Sequence, residues 1–146
     1  MATTRSKFRS REKDTSPPDC HVQWGDYAIK GRIWIEGDKG TFLGYGRVVL
    51  LERIGQFGSI SKAARSMGMS YRHAWELVAS MNKNASSPLV ATATGGRGGG
   101  GARLTSAGRD AIKFFWHIYG CFQSFMKALN SIQGDLHALP DVDTGK

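Results

Sequence analysis

A chain of 146 residues has the usual size of a single domain, and its 40% hydrophobic and 22% charged residues are typical of a folded globular protein. Twenty lysines and arginines against twelve acids give a net charge of +8, which favours a polyanionic partner such as nucleic acid. Apolar runs are too short to span a bilayer. The two cysteines lack CxxC spacing, so neither a disulfide framework nor a zinc ribbon is predicted, and reduced thiols are typical of a cytoplasmic protein.

The two ends of the chain are predicted to be tails. Residues 1–20 are polar, carry charges of both signs and lack the apolar segment of a secretory signal. Residues 135–146 show no hydrophobic periodicity. One folded domain is therefore expected over residues 21–134.

A strand and a helix are predicted in the first part of this domain. Residues 28–36 alternate between apolar and polar side chains, which indicates one half-buried strand. Residues 37–40 form a turn signal, and residues 41–56 have helical spacing of apolar side chains. Two glycines near the start disfavour this helix, since each costs about 1 kcal/mol relative to alanine. Gly58 is placed to cap its C-terminus.

Two short segments with serine caps predict a helix-turn-helix. Ser59 precedes a helical segment over 60–67, and Ser70 precedes another over 71–82. Ala64, four residues before the glycine of the turn, has the small side chain that two crossing helices require where they approach each other.

A glycine-rich hairpin is predicted next. Residues 89–94 and 102–104 indicate two short strands, and GGRGGGG at 95–101 places Arg97 alone among glycines. A nucleotide-binding P-loop would need a lysine and a hydroxyl residue after the last glycine, where Ala102 and Arg103 stand instead. Because it follows the helix-turn-helix, the segment is predicted to be the basic wing of a winged helix, and an ordinary flexible hairpin is the alternative.

The last helix is predicted over residues 107–133, capped by Thr105 or Ser106. Its length of roughly 40 Å exceeds what a domain of this size covers, which predicts packing against a second copy of the chain. A break at Gly120 is the alternative. The predicted dimerisation residues recur every three or four positions: Phe115, Tyr119, Phe122, Met126 and Leu129.

This order of elements predicts a winged helix-turn-helix, mainly α with a small β component and a long C-terminal dimerisation helix. In such a fold the second helix of the motif enters the major groove of DNA, where an arginine can bind guanine through its N7 and O6. Free N–H groups at helix starts can bind phosphates. The predicted DNA-binding residues are Ser59, Ser61, Lys62, Ser70, Tyr71, Arg72, His73 and Arg97.

Other chemistries have weaker support. His117 and Cys121 are one helical turn apart and, with Cys20 and His21, have side chains that bind zinc, but an apolar face that includes one histidine and one cysteine is the favoured interpretation. No GxSxG or HExxH motif occurs, and only three acidic residues lie between positions 39 and 133. The sequence predicts neither an enzyme nor a cofactor.

The segment GSISKAARSMGMSYRHAWELVASMN (58–82), followed by TGGRGGGGARLTSAG (94–108), resembles the N-terminal DNA-binding domain of ModE-type molybdate-responsive transcriptional regulators, whose helix-turn-helix is related to that of LysR-type regulators. The likeness extends over residues 29–130. It implies a homodimer that binds double-stranded operator DNA through paired winged helices. A separate C-terminal domain binds molybdate or tungstate in that family, whereas only residues 134–146 follow the last predicted helix, so molybdate binding is not expected here.

Two hypotheses follow from the sequence. The favoured one is a sequence-specific, homodimeric transcriptional regulator of molybdenum-related or similar genes. The alternative is a protein-interaction or oxyanion-binding module that keeps the winged-helix scaffold without binding DNA, since a fold does not by itself determine a function.

Overall fold

The computed structural model describes residues 20–24, 27–93 and 101–131. In chain order these residues form β1 (Cys20–Trp24), β2 (Tyr27–Gly31), β3 (Trp34–Gly37), β4 (Gly40–Gly44), α1 (Tyr45–Phe57), α2 (Ile60–Ser66), α3 (Tyr71–Asn84), β5 (Val90–Thr92), β6 (Ala102–Leu104) and α4 (Ser106–Ser131). The strands form three antiparallel pairs, β1–β2, β3–β4 and β5–β6. The predicted winged helix-turn-helix is confirmed. Residues 1–19 and 135–146 of the predicted tails and residues 95–100 of the glycine tip, with Arg97, lie outside the described residues, whereas Cys20, predicted to be in the tail, begins β1.

Two hairpins occupy the first part of the domain, where the sequence predicted one strand and the start of a helix. The predicted strand over 28–36 is interrupted at residues 32–33, so its first half pairs with β1 and its second half with β4. The predicted turn is confirmed, and Gly40 at its end has φ 101°, a backbone conformation that favours glycine.

The predicted helix over 41–56 begins later than expected. Residues 41–44 form β4, in which Leu43 lies opposite Ile35 and is fully buried. The helix α1 starts only at Tyr45 because residues 41–44 pair with β3, which satisfies their backbone groups. Its end is as predicted: Gly58, at φ 63°, donates its N–H to the Ile54 carbonyl over 2.8 Å.

The helix-turn-helix is confirmed with both of its predicted caps. The Ser59 hydroxyl accepts a hydrogen bond from the Lys62 N–H, and the Ser70 hydroxyl accepts one from the His73 N–H. Between α2 and α3, Gly68 has φ 67°. Ala64 is buried, and its carbonyl accepts hydrogen bonds from the N–H groups of Met67 and Met69.

The last helix is continuous through Gly120, so the alternative of a break there is wrong. Thr105 is its cap, because the Thr105 hydroxyl accepts a hydrogen bond from the Gly108 N–H over 3.0 Å. The same hydroxyl donates to the carbonyl of Pro88 over 2.7 Å, and so α4 begins against the loop that precedes β5.

The structure places most of the predicted dimerisation residues inside the protomer. Phe115, Tyr119 and Met126 are buried, and Phe122 and Leu129 are half-buried. The first hairpin packs against this part of α4: a Cβ at Gly31 would lie 2.9 Å from the ring of Phe122. Packing within the chain therefore covers much of the face for which the sequence predicted a second copy.

Candidate nucleic-acid interface

The start of α3 is held in a defined conformation and faces solvent. Ser70 has an extended backbone, and its hydroxyl caps the helix through the N–H of His73 at 3.1 Å. On the opposite side of the helix Ala74, Val78 and Met81 are buried in the core. This apolar face fixes the rotation of α3, so that the polar residues of its first turn face away from the protein.

Almost all predicted DNA-binding residues of the two motif helices are accessible. Ser59 is half-buried, because its side chain serves as a cap. The remaining six of the described set are exposed: Ser61, Lys62, Ser70, Tyr71, Arg72 and His73. The eighth, Arg97, lies outside the described residues. The two cap hydrogen bonds use the N–H groups of Lys62 and His73, so these two groups are not available to a phosphate.

Arg72 is joined to Glu76, one helical turn further along α3. The Nε of Arg72 donates to Oε1 of Glu76 over 3.0 Å, and the two side chains are 90% and 56% exposed. The arginine is therefore accessible to a ligand while one edge of its guanidinium is already engaged.

Two further residues of this surface were not predicted from the sequence. Trp75 is 51% exposed, and Glu76 is exposed beside it. They follow Tyr71 and Arg72 by four positions, which places them on the same side of a helix. That spacing was the signal available in the sequence.

The C-terminal half of α3 is attached to the β3–β4 hairpin. The backbone N–H of Lys39 donates to Oδ1 of Asn84 over 3.1 Å, and the Lys39 ammonium donates to the Lys83 carbonyl over 3.2 Å. A cation at this position is stabilised by the carbonyls at the end of a helix. The hairpin turn therefore fixes the end of α3 that is farthest from Ser70.

Two polar side chains connect α3 to other elements. The Arg47 guanidinium, on α1, donates to the hydroxyl of Ser80 over 3.0 Å. Burial lowers the pKa of Arg47, and the neighbouring carboxylate of Glu36 opposes this effect. Asn82 accepts the N–H groups of residues 89 and 90 through Oδ1 and donates to the Val90 carbonyl over 2.9 Å. Contacts from α1 and from the first strand of the wing thus make α3 part of a rigid frame.

The described part of the chain contains no group of three or more histidine, cysteine or acidic residues that could hold a metal. Cys121 is a free, exposed thiol on α4. None of the helices in the described residues has the length and hydrophobicity of a transmembrane segment.

Comparison with known proteins agrees with this geometry. Residues 46–109 match the model of the bacterial regulatory helix-turn-helix protein, lysR family. The chain is 45% identical over 95 residues to the molybdenum-pterin-binding protein MopB of Rhodobacter capsulatus, a match that covers 62% of this chain and 35% of the relative. It is 38% identical over 99 residues to the molybdenum transport protein ModE of Azotobacter vinelandii, a match that covers 68% of this chain and 37% of the relative.

A third relative is the DNA-binding transcriptional dual regulator ModE of Escherichia coli K12, which is 38% identical over 94 residues, with 64% of this chain and 34% of the relative covered. The chain spans about a third of the length of these relatives. The resemblance to the helix-turn-helix domain of ModE-type regulators, predicted from the sequence, is confirmed.

Proposed function

We propose, on the premise that residues 46–109 form a helix-turn-helix domain of the LysR type, that this chain is a DNA-binding transcriptional regulator. Two similarities support the proposal: the match to a family of regulatory proteins and the likeness to the E. coli relative, which is named a DNA-binding regulator. Both agree with the expectation that the chain is not an enzyme. The names of the relatives refer to molybdenum, so we propose molybdenum-related genes as its targets. A regulator of this kind acts on the chromosome, in the cytoplasm.

The observation that carries the proposal is the exposed start of α3. A helix of about 10–12 Å diameter fits the major groove, which is about 12 Å wide. The first turn of α3 presents Tyr71, Arg72 and His73 to solvent. An arginine there can form two hydrogen bonds with guanine, the commonest base-specific contact of proteins with DNA. We therefore infer that Arg72 contacts a guanine and that Tyr71 and His73 contact neighbouring bases or phosphates.

Electrostatics supports a nucleic-acid partner for the same segment. Residues 59–109 contain seven basic residues and one acidic residue. Lys62 and Arg65, both on α2, are exposed, and cations on the first helix of such a motif lie near the phosphate backbone. We infer that Lys62 and Arg65 bind phosphates, and that Arg97 contributes a further contact from the wing.

We also propose that the regulator is a homodimer, through the exposed side of the predicted apolar stripe of α4. Phe114 and Phe125 are 53% and 59% exposed, and Ile118 and Cys121 lie between them along the helix. These four positions follow each other at intervals of four, three and four residues, the a/d spacing of a coiled coil. Packing against the same stripe of a second copy would remove both phenylalanine rings from water.

A selection of DNA sequences from a random pool by the full chain tests the function. We expect a two-half-site operator with at least one guanine on which binding depends, and Arg72→Ala should relax the preference at one base pair of each half-site. Arg32→Ala, which removes an exposed arginine outside the motif, is the matched control and should leave the preference unchanged. If the unmodified chain retains no DNA, the proposal is wrong and the protein-interaction alternative is favoured.

A further inference from the structure

Glu76 is the only acidic residue between positions 59 and 109, a segment with seven basic ones. It lies on the exposed side of α3, one turn after Arg72. A carboxylate on this surface repels the phosphates of DNA, so it lowers the affinity for DNA of any sequence. The presence of Glu76 is therefore not explained by a contribution to the affinity for DNA.

Helix stability does not account for Glu76 either. The first turn of α3 contains no acidic residue, and Arg72 is a cation near the end of a helix that favours anions. Ion pairs at i and i+4 are also weaker when the base precedes the acid. Because both side chains are largely exposed, at 90% and 56%, their pairing stabilises the folded chain very little.

The geometry of the pair suits a role in base recognition. Glu76 engages Arg72 only at Nε, over 3.0 Å. The two terminal nitrogens, Nη1 and Nη2, form no hydrogen bond within the described part of the chain. A guanidinium presents its donors in a planar fork, and the edge made by Nη1 and Nη2 matches the N7 and O6 acceptors of guanine.

From this arrangement we propose that Glu76 is a positioning residue that sets the base specificity of Arg72. The inference rests on the proposed function, DNA binding by α3. When Arg72 enters the major groove and loses water, its bond from Nε to Glu76 strengthens and fixes the plane in which Nη1 and Nη2 face the guanine. The negative charge of Glu76 also disfavours complexes in which Arg72 pairs with a phosphate, so it reduces binding to non-cognate DNA more than binding to the operator.

Two substitutions distinguish the effect of Glu76 on the position of Arg72 from the effect of its negative charge. Glu76→Gln removes the charge but keeps an oxygen that can accept from Nε, whereas Glu76→Ala removes both. Asp110→Asn is the control, because it removes one exposed negative charge from α4. Each variant is measured by fluorescence anisotropy against the selected operator, a scrambled duplex, and operators in which single guanines are replaced by adenine or by 7-deazaguanine, which lacks the N7 acceptor.

We expect Glu76→Ala to lower the preference for guanine by about 10-fold, at the base pair that Arg72→Ala also affects. The sensitivity to 7-deazaguanine should fall at the same position. Glu76→Gln should retain most of this preference. Both variants should bind the scrambled duplex more tightly than Asp110→Asn does, and the thermal unfolding midpoint of Glu76→Ala should equal that of the unmodified chain.

Two outcomes overturn the inference while leaving the proposed function intact. One is a full guanine preference in Glu76→Ala. The other is loss of preference at a base pair that Arg72→Ala leaves unaffected, because Glu76 would then contact a base itself, as carboxylates do with the amino group of cytosine. If the unmodified chain shows no sequence preference, the proposed function fails, and the inference fails with it.

Discussion

The guanidinium of Arg47 on α1 donates from Nη1 to the hydroxyl of Ser80 in the middle of α3, over 3.0 Å. This contact is part-buried, and burial lowers the pKa of Arg47, so the charged form is partly desolvated. A hydrogen bond to a desolvated charge is worth more than one at the surface. The contact therefore helps to hold the recognition helix against the helix that precedes the motif.

We predict that Ser80→Ala lowers the free energy of unfolding by about 1 kcal/mol, because Arg47 loses an acceptor. Arg47→Met loses the same bond but no longer buries a charge. A double-mutant cycle of the two, measured by urea denaturation, should give a coupling energy of about 1 kcal/mol. The control is Arg53→Met on the same helix, which should show no coupling to Ser80→Ala. Additive effects of Arg47→Met and Ser80→Ala would contradict the prediction.

Local signals in the sequence predicted the helix-turn-helix closely. Serine at an N-cap and glycine with positive φ act through their own backbone and that of the next few residues. Ser59, Ser70 and Gly58 therefore determine where three helix ends fall, whatever surrounds them. The same locality places Arg72 and His73, predicted to bind DNA, in the exposed first turn of a capped helix, before its first buried residue.

Features that depend on distant packing were not predicted. Glycine disfavours a helix start at residues 41–44, but nothing local in them shows that they pair with β3. The face of α4 around Phe122 and Met126 is covered by a hairpin that precedes it in the chain by about 90 residues. A helical stripe shows which residues are apolar, but not whether the same chain or a second copy covers them.

The phosphate contact proposed for Lys62 gives a salt-dependence prediction. Its side chain is exposed on α2, so Lys62→Ala should weaken binding to operator and scrambled DNA by the same factor. The slope of log K against log salt concentration should fall by about 0.9, the value for one phosphate contact. Lys127→Ala, which removes an exposed lysine near the end of α4, should change neither quantity. A change in sequence preference without a change in slope would show that Lys62 contacts a base instead.

The proposed coiled-coil stripe on α4 gives a prediction about oligomeric state. Phe125→Glu places a charge in the stripe and should yield monomers in sedimentation velocity. It should also weaken binding to a two-half-site operator by about 100-fold, because the second half-site is no longer held by the same complex. The control is Gln123→Glu, which adds the same charge at an exposed position two residues earlier. If the Phe125→Glu variant remains dimeric, this face of α4 is not the dimer interface.

Two glycines of α4 should respond in opposite directions to the same substitution. Glycine to alanine inside a helix normally stabilises by about 1 kcal/mol, and Gly120 has no atom within 4 Å of the position of an added Cβ. Gly120→Ala should therefore raise the free energy of unfolding by about that amount. At Gly108 an added methyl would overlap the carbonyl oxygen of Leu89, a backbone atom that Thr105 also binds.

Relief of that overlap requires α4 to move away from the loop before β5, so Gly108→Ala should lower the free energy of unfolding by about 2 kcal/mol despite the better helix propensity of alanine. Urea denaturation of both variants gives the two values under one set of conditions. Both variants replace glycine by alanine in the same helix, so the gain in helix propensity cancels when their free energies of unfolding are compared. The remaining difference of about 3 kcal/mol measures the cost of the close approach of α4 to Leu89. Equal values for the two variants would show that the start of α4 is not packed against this loop.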